Sequence, residues 1–77
     1  MYVREGQASY GRIIMNIVDG NIREGDGPWG RILYSIDGKY IREGDGPWGT
    51  IVATIDGNWI RRGDSPYGEI IANLTEH

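Results

Sequence analysis

Four arginines, Arg4, Arg23, Arg42 and Arg61, stand at equal steps of 19 residues. The same step carries Gly6, Gly25, Gly44 and Gly63, then Gly11, Gly30, Gly49 and Gly68, and the aromatic series Tyr10, Trp29, Trp48 and Tyr67. It carries Ile13, Ile32, Ile51 and Ile70, and again Ile17, Ile36, Ile55 and Leu74. Residues 22–30 and 41–49 are identical, reading Ile-Arg-Glu-Gly-Asp-Gly-Pro-Trp-Gly twice. A chain built this way folds as a stack or ring of equivalent units, each too small to bury its own apolar face alone. The repeats run approximately over 2–20, 21–39, 40–58 and 59–77, so residues 1–77 read as one four-repeat domain with no linker. Duplication and design would both produce such identity.

Each copy holds two short segments parted by turn chemistry. Arg31-Ile-Leu-Tyr-Ser-Ile36 is rich in β-branched and aromatic residues and too short for a helix, so it reads as a strand. Tyr40-Ile-Arg-Glu43 is a second, shorter strand. Asp19-Gly20, Asp37-Gly38 and Asp56-Gly57 are hairpin-turn dipeptides, because glycine and aspartate accept positive φ. The first of them lies one position late in its repeat. Strict two-residue Asp-Gly turns would therefore face Ile17 with Ile22 but Ile36 with Lys39. Four-residue loops, Val18–Asn21 and Asp37–Tyr40, would keep one register throughout. The longer connection, Gly25-Asp-Gly-Pro-Trp-Gly30, excludes helix interior and central strand and reads as a structured loop. The expected fold is all-β, an eight-stranded antiparallel meander over about 2–5, 12–18, 21–24, 31–36, 40–43, 50–55, 59–62 and 69–74.

Alternation along these strands places sixteen side chains on one face, among them Val3, Ile22, Ile41 and Ile60, the Ile13 and Ile17 series, and Met15, Tyr34, Ala53 and Ala72. The opposite face is mixed: Ile14, Leu33, Val52 and Ile71 beside Asn16, Ser35, Thr54, Asn73 and the four arginines. An apolar sheet face must be covered, and the sequence holds neither a helix nor a second sheet to cover it. Either the meander curls into a closed small barrel, pairing Tyr2–Glu5 with Glu69–Leu74, or into a strongly curled sheet, or else an open sheet buries its face in a homo-oligomer. Equal steps favour a closed ring, which also removes exposed edges.

The Asp37-Gly38-Lys39-Tyr40-Ile41-Arg42 element with Gly49-Thr50-Ile51, and its copies one period away, resembles short bacterial tandem β-hairpin repeat proteins. The arrangement is broadly similar to MORN-type hairpin repeats, with a different period and glycine spacing. The resemblance implies a scaffold or binding role and supplies no catalytic residue.

Composition narrows the chemistry. With no cysteine there is no disulfide, thiolate metal site or thiol nucleophile. The one histidine, His77, and the one lysine, Lys39, cannot build a triad, and the carboxylates sit in repeat loops with nothing to separate their pKa values. An enzyme is not expected, nor a cofactor. A net charge of −3 argues against a nucleic-acid partner held by bulk positive charge. The arginines alternate with Tyr2, Tyr40 and Trp59 as on a single-strand platform, but Glu5, Glu24 and Glu43 follow three of them. No apolar run approaches the ~20 residues of a membrane helix, and no signal-peptide core is seen, so a cytoplasmic protein is expected. Gly25, Gly27 and Gly30 spell a Gly-x-Gly-x-x-Gly string, but no helix follows to cradle phosphate. The acidic loops lack the calcium-binding repeat patterns.

The loop aromatics Tyr10, Trp29, Trp48 and Tyr67, with Asp26, Asp45 and Asp64, form the candidate ligand-binding set. A flat aromatic stacks on the apolar face of a sugar while a nearby carboxylate accepts hydroxyl hydrogen bonds; a protein ligand would use the same groups. Two alternatives stand beside this one. Each aromatic could instead cover the end of the apolar core and pack on a glycine, or the repeats could serve only a structural or self-assembling role without a ligand.

Overall fold

The computed structural model describes residues 1–76; His77, the histidine of the sequence, lies outside the described residues. Eight strands follow in order: β1 (Tyr2–Glu5), β2 (Ile13–Val18), β3 (Asn21–Glu24), β4 (Ile32–Asp37), β5 (Tyr40–Glu43), β6 (Ile51–Asp56), β7 (Trp59–Arg62) and β8 (Ile70–Thr75). Each pairs antiparallel with its neighbours in sequence, and β1 pairs with β8 to close the barrel. The molecule is a disc, 29 × 28 Å across and 14 Å thick. No described helix is long and apolar enough to cross a membrane.

The turns occupy the same place in every copy. Closing pairs are Val18↔Asn21, Asp37↔Tyr40 and Asp56↔Trp59, which leaves Asp19-Gly20, Gly38-Lys39 and Gly57-Asn58 as the central residues. Asp19 and Gly20 both have positive φ, 52° and 81°, the pattern of a type I′ turn. In the other two only the leading glycine is positive, at 63°, as a II′ turn requires. The one-position offset of Asp-Gly is thus a change of turn type, and Ile17↔Ile22, Ile36↔Ile41 and Ile55↔Ile60 share one register.

The seam between β1 and β8 repeats this pairing without a turn. Val3↔Leu74 stands where Ile17↔Ile22 stands, and Arg4↔Asn73 where Arg23↔Asn16 stands. Even the Met1 carbonyl accepts from Ile17 N at 2.8 Å, as Gly20, Lys39 and Asn58 accept from Ile36, Ile55 and Leu74.

A bulge in each longer strand corrects the expected inner face. Val3 pairs with Met15 but Arg4 with Ile13, so Ile14 is an extra residue, and the same shift recurs in the other three copies. Ile13, Ile32, Ile51 and Ile70 are carried onto the arginine face and stand outside the core cluster, while Ile14 and Val52 pack against it. The lumen is layered. Val3, Ile22, Ile41 and Ile60 form the most buried ring, 0–3 % exposed. Ile17, Ile36, Ile55 and Leu74 lie toward the turns; Met15, Tyr34, Ala53 and Ala72 lie toward the long loops. Burying each residue of the central ring contributes about 1.5–3 kcal/mol.

Candidate functional site

The long loops all leave the barrel at one end, and their construction starts outside the core. Asn16, Ser35, Thr54 and Asn73, expected on an open mixed face, are buried at 1–8 % exposure. The loops fold back and cover them. Asn16 Nδ2 donates to the carbonyls of Gly25 and Gly27, both at 2.9 Å. Ser35 Oγ donates to Gly46 O, Thr54 Oγ1 to Gly63 O, and Asn73 Nδ2 to Gly6 O and Ala8 O. A mid-strand polar residue in each copy thus satisfies loop carbonyls that would otherwise face the sheet unpaired.

The arginines fasten the far side of each loop. Nη1 of Arg4, Arg23, Arg42 and Arg61 donates to the carbonyls of Gly11, Gly30, Gly49 and Gly68 at 2.8–2.9 Å. Nε of Arg42 and Arg61 donates to Asp37 and Asp56, at 3.0 and 2.9 Å, and Arg4 Nε to Thr75 Oγ1. The alternation of arginine with aromatic residues is therefore a set of loop clamps.

Between these anchors the chain makes a tight turn. Gly30 N donates to Gly27 O, Gly11 N to Ala8 O and Gly68 N to Ser65 O, so the aromatic occupies the third position of a four-residue turn. Gly30 and Gly49 pass so close to the carbonyls of Glu24 and Glu43 that no side chain fits there. This geometry thrusts the aromatic outward. Tyr10, Trp29, Trp48 and Tyr67 are 88–90 % exposed, and they cover no core. Expected packing against glycine survives in another form. A Cβ on Gly27 or Gly46 would lie 2.7–2.8 Å from the indole six-membered ring of Trp29 or Trp48, so each indole lies over the glycine two residues before it. The loops whose corresponding residue has a side chain, Ala8 and Ser65, carry the smaller tyrosine.

Asp26, Asp45 and Asp64 are exposed on the same three loops as Trp29, Trp48 and Tyr67; the first loop has Gln7 there. An aromatic and an aspartate therefore share a loop in three copies, Tyr10 standing without one in the first, and the four loops are separate exposed units around one ring. Among the described residues no group of three or more histidine, cysteine or acidic side chains could hold a metal ion.

Over residues 1–77 the chain matches the family described as "6-fold beta flower protein". That description counts six, whereas the ring described above has four hairpins. Comparison with curated proteins and with solved structures gives no match.

Proposed function

The chain belongs to the 6-fold beta flower protein family, and we propose that it is a small non-enzymatic binding module whose four loops present aromatic platforms to a carbohydrate. The observation that supports this is the exposure of Tyr10, Trp29, Trp48 and Tyr67 on loops held from both sides by hydrogen bonds. Large aromatics left in water by a rigid frame form a surface prepared for contact without an ordering cost. The indole face takes the C–H face of a sugar, and Asp26 or Asp45 accepts its hydroxyl protons. Four such units suit a ligand with repeated residues, where individually weak contacts combine through effective concentration. Nucleic acid is disfavoured by the negative net charge and by arginines already engaged with loop carbonyls and aspartates.

The test is a glycan array probed with the protein and with the double variant Trp29→Ala/Trp48→Ala. Binding to a repeating glycan, lost in the variant at unchanged melting temperature, is the expected result. Absence of any glycan signal, with concentration-dependent self-association removed by the same substitutions, would replace the carbohydrate with a second copy of this chain.

A further inference from the structure

The lumen is not filled equally by the four copies. At its loop end the corresponding residues are Met15, Tyr34, Ala53 and Ala72, two large and two small. A cavity of about 270 Å³ lies there, walled chiefly by aliphatic side chains and open to solvent. It is larger than the ~150 Å³ engineered cavity that accepts benzene. The two alanines lie on neighbouring hairpins, so the missing volume is gathered on one side of the ring.

A second break in the repeat falls at the same place. Glu5, Glu24 and Glu43 are followed in the fourth copy by Arg62, which faces Ala53 across the β6–β7 pair. Arg62 lines the cavity, and among the described residues the only other polar side chain in its wall is Tyr34. Arg62 Nε is 3.3 Å from Glu69 Oε1, in an exposed pair at the edge of the cavity. An apolar chamber whose polar wall groups are a guanidinium and a phenol selects an apolar body ending in an anionic acceptor. We infer that the loop end of the barrel is a binding site for a small carboxylic acid with an aryl or short alkyl body. The body occupies the space over Ala53 and Ala72, and the carboxylate meets Arg62. This site is separate from the loop aromatics and stands without them.

The experiment is calorimetric titration of the full chain with phenylacetate, with 2-phenylethylamine and 2-phenylethanol as the cationic and neutral counterparts. Phenylacetate is expected to bind most tightly, and Arg62→Gln to weaken it about tenfold while leaving 2-phenylethanol unchanged. Ala53→Met, which installs the side chain of the first copy, is expected to abolish binding. Should that variant fail to fold, perturbation of the Ala53 and Ala72 methyl resonances of the unaltered protein by phenylacetate replaces it, and unmoved methyls overturn the site. Equal or tighter binding of the amine overturns the carboxylate assignment. Absence of phenylacetate binding, or binding that survives Ala53→Met and is lost in Trp29→Ala/Trp48→Ala, overturns the chamber itself.

Discussion

Arg23 differs from its three counterparts in lacking one acceptor. Its Nε is buried without a hydrogen-bond partner among the described residues, where Arg42 and Arg61 have Asp37 and Asp56. The corresponding residue in the first hairpin is Val18, because that hairpin uses an Asp19-Gly20 turn and its aspartate falls one position later. Val18→Asp supplies the missing acceptor and is expected to stabilise the protein by about 0.5–1 kcal/mol, the modest end of the range because the equivalent pairs are part-exposed. Urea unfolding of the variant reads this directly, and a loss of stability would disprove the orphan assignment. The offset of Asp-Gly is visible in the sequence, but its cost to Arg23 is not, since nothing in one dimension says which side chain an arginine five residues on will meet. A second residue-scale expectation concerns Gly27. A methyl there displaces the exposed Trp29 ring without touching backbone. Gly27→Ala should therefore shift the near-ultraviolet circular dichroism of the indole at nearly unchanged melting temperature, and it tests whether ring orientation matters for glycan binding.

Within the loop, glycine has two different jobs, and one substitution distinguishes them. Gly30 lies under the carbonyl of Glu24, which is backbone and cannot swing away as an indole can. Gly30→Ala is expected to destabilise by about 2–3 kcal/mol, in the range of overpacked cores, against a near-neutral Gly27→Ala. Equal effects of the two in thermal unfolding would refute the division. Both glycines were readable as turn punctuation, and the loop was readable as ordered from its proline and glycines. Its direction was not. The bulge at Ile14 inserts one residue without any compositional mark, and that single insertion moves Ile13 outward and brings Ile14 to the core. Alternation counted through it assigns the wrong face for two residues per strand. The arginine clamps and the buried Asn16, Ser35, Thr54 and Asn73 follow from the same fold-back, which only three dimensions reveal.

Ring closure was legible because equal spacing and one continuous apolar face leave few ways to hide that face. The seam carries this further, since β1 and β8 pair as any turn-linked hairpin does. In that pairing Glu76 and Met1 stand in the places of Asp19 and Gly20. Joining the chain there through an Asp-Gly turn in place of Glu76, His77 and Met1 should give a cyclic protein of unchanged fold. Removing the loop-closure entropy should stabilise it by about 2–4 kcal/mol, as a crosslink spanning the chain does. Comparison of linear and cyclic forms in guanidinium measures the gain, and a cyclic form no more stable than the linear one would show the seam to be strained. An even number of antiparallel strands has one more result. Thr75 and Tyr2 meet at the turn end of the disc, while every long loop is rooted at the other. A tether, bead or neighbouring domain joined to either terminus is attached away from the loop roots, as a stalk joins a corolla. Mounted on a support by its termini, the molecule would keep the open mouth of its lumen turned toward solution.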